Sequence, residues 1–232
     1  MAGVVGRVEV PAPVPGVMVG FHVETDMHVR PASVTAGLAA SLRAADVRIH
    51  EGVVALGLEW DVRAGSVCAI VTSVGDLEVD AVVLAAGAET GPLARMAGWR
   101  IPITAGKGYS VTIERPVRQL RQPLYLGDAH VGMTPFRGAL RFGGTMELSG
   151  VNRRMDMARV RGLRRAVSRD VDIPEARDGG RAWVGMRPMV PDTLPVIGGL
   201  PSCENVYVNT GHQMLGVTLA PASGWALAGL VV

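Results

Sequence analysis

The chain has 232 residues, enough for one large domain or two small ones, and its 48% hydrophobic and 19% charged content is globular rather than disordered. Its 23 basic residues face 21 acidic ones, and a net charge of +2 is too small to argue for nucleic acid as a partner. Two cysteines, Cys68 and Cys203, share no short spacing, which excludes a CxxC metal or redox motif and speaks against a disulfide framework.

Residues 1–27, rich in Gly, Val and Pro, read as irregular chain with room for one strand. Pro31 suits the first turn of a helix, and Val34, Leu38, Leu42 and Ala45 continue at helical spacing, with Asp46 as the stop. Strands are expected at 47–50, 53–58, 68–74 and 77–84, the last two joined by a hairpin signal at Gly75-Asp76. The fourth runs into Ala85-Ala86-Gly87, and residues 92–97 read as a short helix ended by Gly98. Short strands at 107–114, 124–126, 131–135 and 139–146 predict an antiparallel sheet. An arginine-rich helix follows over 153–169, with Met157, Val160, Leu163 and Val167 on its apolar side and its arginines on a solvated face. Strands at 183–187, 194–197 and 206–209 precede a last helix that starts near Gly216 and carries Pro221 early. This order suits an α/β (α+β) chain in which one domain is inserted into another: 1–98 and 183–232 flank an antiparallel-sheet domain at 99–182.

The chemistry is concentrated near the end. Trp183-Val184-Gly185-Met186-Arg187-Pro188 is followed by Asn209-Thr210-Gly211-His212-Gln213-Met214-Leu215-Gly216-Val217-Thr218. The second string is a strand that ends in a glycine-punctuated turn and opens a helix. Free N–H groups and a partial positive charge at such a helix start suit phosphate, carboxylate or the anionic edge of a reduced ring cofactor. The same pattern also describes an ordinary strand-to-helix turn. Arg187 offers a planar fork for a carboxylate, or is a surface arginine pairing with Asp192. His22, His28, His50 and His130 are scattered without metal-ligand spacing.

The strings around Arg187 and His212 resemble the C-terminal signature of the FAD-dependent D-amino-acid oxidase superfamily. Gly106-Lys107-Gly108-Tyr109-Ser110 and Arg141-Phe142-Gly143-Gly144-Thr145-Met146-Glu147-Leu148 are similar to bacterial D-amino-acid dehydrogenases of the small-subunit type. Val82-Val83-Leu84-Ala85-Ala86-Gly87 resembles that family's strand-to-glycine turn beside the dinucleotide. The resemblance runs from about residue 28 to residue 230. It implies oxidative deamination of a D-amino acid to an imino acid, which water hydrolyses, with FAD taking the hydride. It implies Arg187 as the carboxylate anchor, with Tyr109 and Met133 in the sheet that roofs the substrate pocket, as contacts or as packing. It implies cofactor contacts at Val54, Ala86, Gly87, Gly185, Gly211, His212, Gln213, Met214, Leu215, Gly216, Val217 and Thr218. No residue is assigned as a base: a hydride can leave an amino acid whose amine is neutral, so His212 reads as a turn residue beside the ring.

Two departures from the family stand out. No G-x-G-x-x-G turn occurs, and Gly3-Val4-Val5-Gly6 has the wrong spacing, so the chain resembles the C-terminal two-thirds of such an enzyme, with an N-terminal half as a missing partner. Gln213 stands where the family has glycine, and its side chain is expected to face the flavin or substrate, or to point into solvent. The alternatives are an inactive fragment, a subunit that needs a partner chain, or an enzyme for glycine, sarcosine or hydroxyproline. No run approaches the roughly 18 apolar residues of a membrane span, and no secretory signal is visible, so the default setting is a reducing cytoplasm. The inner face of the membrane, with a quinone acceptor, is the alternative setting, beside oxygen as acceptor.

Overall fold

Pro31 opens the first helix, α1 (Pro31–Ala44), and the chain leaves it at Asp46 in the left-handed region, φ 59°. The computed structural model describes residues 20, 22, 23, 25, 27–201 and 203–231, so most of the expected irregular segment, including Gly3-Val4-Val5-Gly6, lies outside the described residues. Residues 47–50 form no strand. Val47 and Ile49 have the alternation of one but stay exposed, and a strand needs a ladder partner as well as a pattern.

The next strands are β1 (Ala55–Asp61), β2 (Ser66–Thr72) and β3 (Gly75–Glu78), a three-stranded antiparallel sheet in that order. Thr72 pairs with Gly75, so the turn is Ser73-Val74 rather than Gly75-Asp76. The single strand expected over 77–84 is two: the chain breaks at Val79-Asp80-Ala81 and enters β4 (Val82–Leu84), which belongs to another sheet. A 3-10 turn (Gly87–Glu89) leads into α2 (Thr90–Met96), closed by Gly98 at φ 77°. Then come β5 (Thr104–Glu114), β6 (Leu124–Leu126), β7 (Val131–Phe136) and β8 (Ala139–Glu147). Helix α3 (Met157–Asp170) starts later than residue 153 because Asp156 caps it, accepting the Ala158 N–H at 2.8 Å. The chain ends through β9 (Arg181–Met189), β10 (Val196–Gly199), β11 (Val206–Thr210) and α4 (Gly216–Val231).

The chain divides into two compact units. One holds the described residues up to Val34, Lys107–Glu147 and Arg153–Gly185. Its five-stranded sheet has the order β6-β7-β8-β5-β9. Val160, Leu163 and Val167 of α3 are buried with Val111, Met133 and Phe142 in its core. Each such side chain contributes about 1.5–3 kcal/mol by leaving water.

The other unit holds Thr35–Gly106, Leu148–Asn152 and Met186–Val232. It contains β1-β2-β3 and a second sheet of order β10-β11-β4, in which β11 runs parallel to β4 and antiparallel to β10. Val67, Val82, Leu84, Ala94, Val206 and Val208 form its core. Asn205 joins the two sheets. Its side-chain carbonyl accepts the Val67 N–H at 2.9 Å, and its amide donates to the carbonyls of Val67 at 2.7 Å and Asp80 at 2.8 Å. Its own carbonyl accepts the Val82 N–H at 2.8 Å, which turns the chain out of β3's sheet and into β4. Among the described residues no helix is long and apolar enough to cross a membrane.

Candidate functional site

β4 and β11 lie in parallel register, Val82 with Val206 and Leu84 with Val208. Both run into glycine turns at their carboxyl ends, where α/β sheets take ligands. β4 ends in Ala85-Ala86-Gly87, with Gly87 at φ 57°. β11 ends at Gly211, φ 78°, where a Cβ would stand 3.1 Å from Val190 Cγ1 and 3.3 Å from the Val196 nitrogen. Only glycine fits that position comfortably. The buried Thr210 hydroxyl donates to the Gly87 carbonyl at 3.0 Å and fastens one turn to the other.

The second turn carries the polar groups. The Leu215 N–H donates to the His212 carbonyl at 2.9 Å, and Gly216 then begins α4, whose first N–H groups lack partners within the helix. His212 is half-buried, and burial lowers its pKa, so the imidazole is neutral at pH 7. Its Nε2 and the Oδ1 of Asn209 are buried without a hydrogen-bond partner. Met214, Leu215 and Val217 present apolar side chains at the surface. Orphaned polar atoms call for a bound partner, and these sit beside open glycine turns and exposed apolar side chains. That combination fits a large, partly polar ring system. Along β4 runs an apolar cleft of about 340 Å³, lined by Val82, Leu84, Ala85, Ala86, Leu93 and Met96 among others.

Gln213 departs from the solvent-pointing expectation. It sits at φ 52°, its backbone N–H donates to the Pro188 carbonyl at 3.2 Å, and its amide donates to the Val190 carbonyl at 3.3 Å. The side chain is a strap onto the β9–β10 connection and does not point into solvent. It brings the helix turn against the end of β9, one residue from Arg187. Arg187 is half-buried, and desolvation lowers its pKa. A guanidinium stays charged at neutral pH all the same. Asp192 uses its carboxylate to accept the Leu194 N–H at 3.1 Å.

Other expected site residues are placed differently. Tyr109 and Met133 are fully buried in the core of the five-stranded unit, where they pack the sheet. The Tyr109 hydroxyl donates to Glu147 at 2.5 Å and accepts the Asp156 N–H at 3.2 Å. Lys107, the single lysine, is buried beside them, 2.9 Å from Glu147, and the hydrogen bond to Glu147 raises its pKa. Gly185 makes room for the Trp183 indole, whose ring would lie 2.0 Å from a Cβ there. Val54 has its N–H and C=O both bonded to Ser73, at 3.1 and 2.9 Å, which leaves its exposed side chain as its free surface. Asn205 carried no sequence signal, since an asparagine before a strand reads as a turn residue.

Residues 5–230 match the FAD dependent oxidoreductase family. The chain belongs to this family. D-amino acid dehydrogenase of Methylobacterium sp. (strain 4-46) is 35% identical over 206 residues, covering 85% of this chain and 47% of that protein. The enzyme of the same name from Sinorhizobium medicae is 36% identical, covering 74% and 41%. Among solved structures, glycine oxidase from Geobacillus kaustophilus superposes with a TM-score of 0.75 at 25% identity, over 85% of this chain and 53% of that one. L-proline dehydrogenase from P. horikoshii gives 0.74 at 21% identity, over 87% and 55%, which speaks for the fold alone. The chain therefore spans under half the length of these curated relatives, less than the two-thirds that its motifs suggested.

Proposed function

We infer that this chain is the ring-facing and carboxylate-binding part of a flavin-dependent D-amino-acid dehydrogenase. The supporting observation is the pair of glycine turns at the carboxyl ends of β4 and β11, tied by Thr210, with orphaned His212 and Asn209 atoms beside them. Ala86 and Gly87 on one turn and residues 211–218 on the other would hold FAD. Bound FAD supplies two-electron chemistry, accepting a hydride from the α-carbon of an amino acid. The chain's own residues position and polarise. Arg187 holds the substrate carboxylate in a bidentate fork, and positioning of this kind supplies much of the rate. The start of α4 would offer its N–H groups and positive dipole end to negative charge developing on a bound ring. Neutral His212 offers a hydrogen bond without adding charge. The imino acid formed is hydrolysed by water, a step of amino-acid catabolism that suits a reducing cytoplasm, where Cys68 and Cys203 stay free.

A second reading has its own support. The 232 residues contain no G-x-G-x-x-G turn, and among the described residues β4 forms the edge of its sheet. The edge of β4, with Val83 exposed, is where further parallel strands of a family-length protein would join. In that case the chain alone retains little FAD, and cofactor binding needs the remainder of the protein or a partner chain. Both readings are tested by one comparison: flavin absorbance after desalting, and ammonia release from a panel of D-amino acids, for the 232-residue chain and for a family-length protein that contains it. We expect a nearly colourless chain and a yellow, active longer protein. A longer protein that binds flavin but releases ammonia only from glycine would move the substrate class.

A further inference from the structure

A recess of about 470 Å³ lies in the five-stranded unit, walled by one stripe of α3. Arg161, Arg164, Arg165, Ser168 and Arg169 fall at i, i+3, i+4, i+7 and i+8, in a stripe that borders the buried side of Val160, Leu163 and Val167, and Arg177 completes the lining. None of the lining residues is acidic. Arg169 is held by Asp170, with Nε at 2.6 Å and Nη2 at 2.9 Å from its carboxylate. Arg164 is fixed by donating through Nη1 to the carbonyls of Ala176 at 3.2 Å and Gly179 at 2.6 Å. Among the described residues, the guanidinium groups of Arg161, Arg165 and Arg177 have no hydrogen-bond or ion-pair partner. Elsewhere on the same helix the pattern differs: Arg159 meets Glu147 at 3.1 Å.

A chain rich in arginine supplies the residue type, but it does not account for five guanidinium groups lining one concavity with a single paired acid. Like charges at i and i+4, as in Arg161/Arg165 and Arg165/Arg169, weaken a helix. A bound anion reverses that effect. Ser168 adds an independent sign. Its Oγ is buried without a partner, although a helical serine ordinarily bonds back to the carbonyl four residues earlier. Guanidinium forks with a free hydroxyl between them match the oxygens of a phosphate group. We propose that this recess binds a phosphate-bearing anion, with Arg161, Arg165, Arg177 and the Ser168 hydroxyl as donors. The site is independent of the flavin reading and uses none of its residues.

The test is calorimetric titration of the 232-residue chain with inorganic pyrophosphate at low salt, with sedimentation of phosphatidate and phosphatidylcholine vesicles alongside. One saturable site is expected. Arg161→Gln with Arg165→Gln should weaken it at least tenfold, Ser168→Ala about threefold, and the surface pair Arg48→Gln with Arg63→Gln not at all. Arg177→Gln, outside the helix, gives the same readout if the double variant fails to fold. Phosphatidate binding that pyrophosphate displaces names a lipid headgroup as the source; pyrophosphate binding without vesicle binding names a free phosphorylated molecule. Binding to neither, or unchanged affinity in folded double and Arg177→Gln variants, overturns the proposal.

Discussion

Gln213 allows the energetics of the site turn to be separated into two parts. At φ 52° a side-chain residue carries about 1–2 kcal/mol of strain that glycine does not. Against this, the amide donates to the Val190 carbonyl at 3.3 Å, a long neutral bond worth about 0.5–1 kcal/mol. Gln213→Ala keeps the strain and loses the bond, so it should destabilise the protein by that second amount. Gln213→Gly relieves the strain, loses the same bond and adds roughly 0.5–1 kcal/mol of unfolded-state entropy, which brings it close to wild type. Urea denaturation of the three proteins should therefore place glycine level with or above alanine. The backbone bond to Pro188 survives in all three. Because the amide is engaged by the Val190 carbonyl, the ranking of amino-acid substrates in a family-length protein should not change. A glycine variant less stable than the alanine variant, or one with a reordered substrate ranking, would refute this account of the turn.

Arg187→Ala in a family-length protein should lower kcat/KM by about a hundredfold or more, since losing a charged partner in a desolvated site costs on the order of 2–4 kcal/mol. A fall under threefold across several D-amino acids would exclude Arg187 as the anchor. His212 is held neutral by burial, its folded pKa below the ordinary value of about 6.5. A depressed folded pKa gives stability that is present above the unfolded value and lost as pH falls through the folded one. Urea midpoints should therefore decline more steeply between pH 7 and 5 in wild type than in His212→Gln; parallel curves would contradict it. Asn205→Ala should destabilise the protein by about 2–4 kcal/mol, because it strands the N–H and C=O of buried Val67 together with the Asp80 carbonyl. Asn205→Asp should also destabilise, as a carboxylate cannot donate to those carbonyls; a loss under 0.5 kcal/mol for alanine would show that the two sheets are joined by other means.

Elements with a strong local pattern were legible in the sequence. The apolar spacing of α3, the early proline of α1 and the alternating strands of the five-stranded sheet all placed their elements within a few residues. What could not be read depends on partners distant in the chain. Residues 47–50 alternate like a strand but meet no ladder, and residues 77–84 read as continuous because nothing local announces that Asn205 will capture Asp80 and Val82. At the site, the glycine turns and Arg187 carried their own signals. Gln213 did not, since its direction is decided by the Val190 carbonyl 23 positions away. Tyr109 and Met133 share one buried core with Val160, Leu163 and Val167 of α3, a packing that strand alternation alone does not announce.

In the proposed function, Arg187 and the two glycine turns hold an amino acid by its carboxylate beside a flavin. Anaerobic addition of substrate to a flavin-loaded, family-length protein tests it without regard to the electron acceptor. D-alanine should bleach the visible flavin band, while D-alaninamide, which lacks the carboxylate, and L-alanine should leave it almost unchanged. Equal bleaching by the amide, or none with any D-amino acid tried, would contradict the account.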